Sequence, residues 1–306
     1  MTAKNTLKER LFSLIICFSM ALSVLLPMNV VTTQAATKLN ILEIGNSLTY
    51  SSKHGNSTIS KLKALGEKSG YNFNIKYIAY GGEKLATYAD SNKSRGKECK
   101  KLINSQKWDI VVLQEETDRA IKDPSLFKNA AIKLAKKIRA KSPNARIILN
   151  CTWAYDKKMY GYSHSEQQKK MNSNYKNVAN AIEADIVFSG NAFDNYRKVK
   201  GALPLYRSDK NHASAAGCYL NACCLYTAFT RKTPYKVNYF GDWGKAKCLV
   251  MQQTAEKANS HLLEINMRVV PNKPPVKEQQ QNTDKSTSVG DLKQSVNMSI
   301  RDGGSR

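Results

Sequence analysis

Five short apolar runs recur along this chain, with helical patterns between them: 39–44, 73–78, 109–113, 146–149 and 185–188. That alternation limits the fold more than any other feature. Strands of four to six residues cannot stand alone, and the stretches between them are long enough for helical crossovers. The pattern predicts a parallel five-stranded sheet with helices on both faces, a three-layer α/β/α domain. Residues 57–68 carry Ile59, Leu62 and Leu65 at helical spacing. A second helix is expected over 125–141, with Leu126, Ala130, Ile132, Leu134 and Ile138 on one face and a stop at Ser142-Pro143. Further helices are expected near 165–183, 213–230 and 248–267. In an open parallel sheet the site lies beyond the carboxyl ends of the strands. The loops at 45–50, 80–84, 114–119, 151–156 and 189–196 are therefore the ones to search for chemistry.

Both ends of the chain read differently from the middle. Lys4, Lys8 and Arg10 precede an apolar stretch from Leu11 to Met28 and small residues at Ala35-Ala36. This is the pattern of an export signal over 1–36, with an uncleaved membrane anchor as the other reading. From Pro271 onward Pro, Gln, Lys, Ser, Asn and Asp dominate, so 271–306 is expected to be a disordered polar tail. One large domain with a single core is left at 37–270. The formal charge is +24 and falls to +22 once the signal is removed. Such a charge favours polyanions. No recognition helix, zinc finger or RNP-like pattern accompanies the lysines, so nucleic acid is not expected as a partner. For an exported protein an anionic cell-wall polymer fits better; solubility alone is the other explanation. Six cysteines follow the signal, an even number that permits disulfides, but their spacing fixes no pairing. No CxxC or HxxxH occurs, so no metal site is expected.

General bases are scarce, because the chain has four histidines: His54, His164, His212 and His261. His261 is expected mid-helix on the surface. His164 lies in a polar segment with only Glu166 as a nearby carboxylate, and His54 follows the first strand loop and could line a cleft. His212 differs. It closes Asp209-Lys210-Asn211-His212 just before a helix, where the carboxylate can hold one ring nitrogen and leave the other facing outward. Gly45-Asn46-Ser47 ends the first strand, and the glycine lets the chain turn so that Ser47 projects from the sheet edge. Adjacent Glu115 and Glu116 argue only weakly for a glycosidase, since neighbours on a strand end point opposite ways. There is no G-x-S-x-G elbow, Walker loop or H-E-x-x-H.

Taken together, Ile41-Leu42-Glu43-Ile44-Gly45-Asn46-Ser47-Leu48-Thr49, Ala79-Tyr80-Gly81-Gly82 and Asp209-Lys210-Asn211-His212 resemble, in order and spacing, the sequence blocks of the SGNH (GDSL-like) hydrolases. The first block takes a GNS form. Val111-Val112-Leu113-Gln114-Glu115-Glu116, Cys151-Thr152-Trp153-Ala154, Leu205-Tyr206 and His212-Ala213-Ser214 point to a secreted bacterial branch, and the likeness spans about residues 39–231. It implies a flavodoxin-like topology and a serine esterase with Ser47, His212 and Asp209 as its triad. The backbone N–H groups of Ser47 and Gly82 would form the oxyanion hole. No metal or organic cofactor is implied. The third block departs from the family pattern. Its asparagine donor aligns with Glu116, which cannot donate when ionised, and Gln114 is the remaining amide candidate. The implied substrate is an O-acetyl or other short-acyl ester, on a polysaccharide or a small molecule. A lipase or thioesterase would need a long apolar slot that the sequence does not show. The rival outside enzymes is a wall- or glycan-binding protein that keeps the fold without the activity. After signal cleavage no membrane contact is expected.

Overall fold

The computed structural model describes residues 35–50 and 57–267, all within the unit Met1–Arg268. The expected tail, His54 and nearly all of the expected signal lie outside the described residues. Five strands form one sheet: β1 (Thr37–Gly45), β2 (Tyr71–Ala79), β3 (Ile110–Leu113), β4 (Arg146–Cys151) and β5 (Asp185–Phe188). Their order is β2-β1-β3-β4-β5 and every pairing is parallel. This is the doubly wound, flavodoxin-like order, which reverses direction between β1 and β3. The register brings the carboxyl ends level, with Gly45 opposite Ala79 and Ile44 opposite Leu113.

Alternation along each strand divides the core in two. Ile41, Ile110, Val112, Ile148 and Val187 face one helical layer. Leu42, Ile44, Val111, Leu113, Ile147 and Leu149 face the other. The first layer contains α2 (Thr58–Glu67), α8 (Ser189–Tyr196), α9 (Ala215–Thr230) and α10 (Lys245–Ala258). The second contains α3 (Leu85–Ala89), α4 (Ser94–Asn104), α5 (Thr117–Lys122), α6 (Pro124–Lys141) and α7 (His164–Ile182). Helix α9 is buried almost all round, which is why it shows an apolar run rather than a stripe.

Several expectations are corrected. Leu126 and Ile132 do not face the core: they are 51% and 41% exposed. At about 100° per residue, Phe127, Ala130, Ala131, Leu134 and Ile138 make the inner face of α6, and those two fall on its flank and back. The segment 189–196 is helix α8, not an open loop. The loop at 114–119 is cut short by the start of α5 at Thr117. The single helix expected over 248–267 is two, α10 and α11 (Ser260–Met267), separated at Asn259. That buried asparagine accepts from Phe188 N at 2.8 Å and donates to Ala255 O at 3.0 Å. The break therefore lets a side chain satisfy the outer edge of β5. His261 is not mid-helix. It is the second residue of α11, exposed, with Nε2 3.0 Å from Ile186 O, another group on that edge. The six cysteines among the described residues are all buried and unbridged.

Candidate active site

The first strand ends in a turn that only glycine permits. A Cβ on Gly45 would lie 2.2 Å from Thr49 Oγ1 and 2.6 Å from Gln114 Oε1. Ser47 opens the one-turn helix α1 (Ser47–Tyr50) and is half-buried. At a helix start the first N–H groups have no acceptor within the helix, so the Ser47 N–H is available to something outside it. Gln114, at the end of β3, fixes the turn from behind. Its Oε1 accepts from Asn46 N and from Thr49 Oγ1, each at 3.0 Å.

The loop before α9 brings His212 to this serine. Tyr206 and Ala213 bridge antiparallel, with Arg207 N donating to His212 O at 2.8 Å and Ser214 N to Leu205 O at 2.8 Å. Inside this small hairpin Asp209 Oδ1 accepts from Asn211 N at 2.8 Å and His212 N at 2.9 Å. The other oxygen, Oδ2, lies 2.8 Å from His212 Nδ1, and His212 Nε2 lies 2.9 Å from Ser47 Oγ. A carboxylate on Nδ1 places the ring proton there, so Nε2 is the nitrogen that accepts from the serine hydroxyl. Burial pushes the Asp209 carboxyl up. The two backbone N–H groups and the imidazole outweigh that and hold it below the ordinary carboxylate value. Residues 165 positions apart in sequence thus meet at the carboxyl edge of the sheet.

The strands also explain why this loop sits where it does, through contacts that the sequence motifs do not show. The segment after β4 is its template. Trp153 Nε1 donates to Asn211 O at 2.8 Å, Tyr206 Oη to Ala154 O at 3.0 Å, and Asp156 N to Lys210 O at 2.8 Å. Trp153 is itself stacked on Phe193 of α8, with ring centroids 4.1 Å apart. Asp156 binds both Lys210 Nζ at 3.2 Å and Arg197 at 2.5 Å. Lys210 holds a left-handed backbone, φ 62°, which sets the reversal between Asp209 and His212. A tryptophan beside a strand end, with its N–H in need of an acceptor, was the available signal.

Not every expected residue joins the pair. The Gln114 amide nitrogen donates to Glu115 O at 2.6 Å. The Asn46 N–H on its oxygen sets its orientation, and Gln114 supports the turn with one of its two amide hydrogens engaged by Glu115 O. Glu116 caps α5, accepting from Asp118 N at 2.8 Å and Arg119 N at 3.1 Å; it is an acceptor in place of the family's donor. Gly82 lies exposed in a turn closed by Glu83 N donating to Tyr80 O at 3.1 Å, with φ 65°. His164 has a carboxylate that sequence proximity did not show. Its Nε2 is 2.6 Å from Asp194 of α8, and its Nδ1 is 2.9 Å from Tyr155 O. The Asp194 contact raises its pKa, against burial, which lowers it. Both ring nitrogens are thereby engaged away from Ser47. Glu115 is fully buried, with Oε1 accepting from Leu85 N and Glu116 N, and burial pushes its carboxyl up to about 8.

No family profile and no curated protein matches this chain by sequence. Among solved structures, a DUF4886 family protein from Bacteroides uniformis is similar at 20% identity and a TM-score of 0.64, over 74% of this chain and 96% of that one. A candidate SGNH hydrolase from Slackia heliotrinireducens is similar at 23% identity and a TM-score of 0.52, over 63% of this chain and 100% of the other. At these identities the likeness shows the fold, an SGNH-hydrolase-like α/β/α sandwich.

Proposed function

We propose that this chain is a secreted serine esterase that removes acetyl or other short acyl groups from a polysaccharide. One observation carries the reading: the unbroken path from Asp209 through the His212 ring to Ser47 Oγ, at 2.8 and 2.9 Å. It stands at the sheet edge where α/β folds place their chemistry. Ser47 Oγ attacks the ester carbonyl while its proton passes to His212 Nε2. The tetrahedral oxyanion is met by the N–H groups of Ser47 and Gly82. The C–O bond to the alcohol breaks, and His212 returns the proton to the leaving alkoxide. Water, deprotonated by the same ring, then hydrolyses the acyl-enzyme and regenerates Ser47. Asp209 holds the ring's tautomer and offsets the imidazolium charge. Export rests on the pattern of residues 1–36, and the positive charge supports retention by an anionic wall polymer.

A second reading has an observation of its own. The third block carries an acceptor, the helix cap Glu116, where the SGNH pattern has a donor, and one hydrogen of the Gln114 amide is spent on Glu115 O. A protein of this fold that binds wall glycan without turnover would tolerate that loss. Labelling by a fluorophosphonate separates the two, because it requires an activated serine. The esterase reading expects labelling that Ser47→Ala abolishes, and loss of at least about a thousandfold in kcat for His212→Ala against a mild effect of His164→Ala. Absence of labelling in the wild-type protein would favour the binding protein. Equal losses at His164 and His212 would mean that the base is misassigned.

A further inference from the structure

Asn46 stands where the SGNH first block more often carries aspartate, a difference that looks unimportant while Asp209 supplies the carboxylate. The structure gives the amide a task that aspartate cannot perform. Asn46 Oδ1 accepts from Leu48 N at 3.0 Å, and Nδ2 donates to Glu83 O at 3.2 Å. An N–H requires an oxygen and a carbonyl requires an N–H, so two backbone groups independently select the same amide orientation. The residue is only 2% exposed. Its first contact lies within the Ser47 turn. Its second crosses to the turn that presents Gly82. A parallel tie runs through Tyr88 of α3, whose hydroxyl donates to Gly45 O at 2.8 Å and accepts from Tyr80 N at 3.0 Å. Two side chains thus join the ends of β1 and β2 beyond their last pairing, Gly45 with Ala79.

We infer that Asn46 is a positioning residue for the oxyanion hole, its amide fixing the separation between the Ser47 and Gly82 N–H groups. The inference rests on the esterase reading above. Aspartate would keep an acceptor for Leu48 but set its second oxygen against Glu83 O. Two acceptors about 3 Å apart and shielded from water repel, so the Tyr80–Glu83 turn would swing outward or the carboxyl would hold a proton. Preorganised donors lose effect with small displacements. Asn46 lies behind the turn and acts through Gly82 and Ser47.

The test compares wild type, Asn46→Asp and Tyr88→Phe in hydrolysis of p-nitrophenyl acetate and in inhibition by phenylboronic acid. Boron takes up the serine oxygen to give a tetrahedral anion that uses the same N–H groups. Asn46→Asp should lower kcat by about 10- to 100-fold with KM changed by less than about twofold. The inhibition constant for the boronic acid should rise by the factor that kcat loses. Tyr88→Phe should show the same pattern, smaller, and it decides the matter if Asn46→Asp does not fold. An unaltered kcat in Asn46→Asp overturns the inference, as does a kcat loss that leaves boronate binding unchanged, or a change confined to KM. Those results in an active wild-type protein leave the esterase reading standing. A wild type that neither turns over the ester nor reacts with a fluorophosphonate removes both.

Discussion

At the scale of single residues, the chain places an ionisable group where burial alone would put a hydrocarbon. Glu43 lies on β1, two residues before Gly45, on the same sheet face as Ile41. It is 2% exposed, and its Oε1 has no hydrogen-bond partner among the described residues. Burial pushes its carboxyl from 4.5 up to about 8. In the unfolded chain that group loses its proton near the lower value, while the folded protein retains it until the higher one. The unfolded state therefore binds fewer protons between the two, and stability falls as pH rises from about 4.5 to about 8. Glu115 acts in the same direction, so a comparison is needed to isolate Glu43. The stability gain of Glu43→Gln over wild type should grow by a few kcal/mol across that window, measured by denaturant unfolding at several pH values. A pH-independent difference would mean that Glu43 is ionised in the folded state. The pattern at 39–44 showed a strand, but it did not show that its one acidic side chain faces inward among apolar neighbours.

At the scale of elements, the Asp209–His212 loop is held by the segment after β4 rather than by its own sequence. Asp209, Asn211 and His212 are polar and partly exposed, and nothing apolar among them holds the loop in place. Its position follows from the three bonds to Trp153, Ala154 and Asp156, which project from the end of a buried strand. Trp153→Phe keeps an aromatic ring against Phe193 and removes the donor to Asn211 O. Leaving that carbonyl unsatisfied should cost about 1–3 kcal/mol of stability, and kcat for a small acetyl ester should fall several-fold through looser placement of His212. Turnover at the wild-type level together with lowered stability would show that the remaining bonds hold the loop without the indole. The DxxH spacing made the local half of this arrangement legible, since both residues lie within one turn. The brace was not legible, because its partners come from residues 153–156 and its aromatic support from Phe193 of α8, all distant in sequence from the loop they hold.

At the scale of the whole molecule, the formal charge of +24 is spread along the chain rather than gathered in one block. Attraction of scattered lysines to a polyanion is long-range and is screened within about 10 Å at roughly 0.1 M salt. In the proposed mechanism the proton transfer from Ser47 to His212 spans 2.9 Å in a half-buried site. Added salt should therefore release the protein from anionic wall polysaccharide, while kcat on a neutral acetyl ester hardly moves. Binding assays and initial rates across a salt series would check both. Salt-resistant binding would point to specific contacts, and a steep salt dependence of kcat would place charged side chains at the reacting ester.

The sheet was legible before folding, because strand and helix are set by local periodicity and by burial on two faces. The sequence marked five strands within a few residues and the glycine turn that carries Ser47. It also marked the Asp209–His212 pair, because three residues of separation leave the two side chains little choice but to meet. What crosses between elements follows from packing instead. Asp194 reaches His164 from α8, Gln114 turns its amide inward to hold Asn46, and Asn259 breaks a helix to satisfy the edge of β5. Asn46 itself bridges two strand ends. Each of these is a hydrogen bond between residues distant in sequence. A polar side chain has the same local pattern whether its partner is water or a buried backbone group, and only packing removes the water and makes the choice.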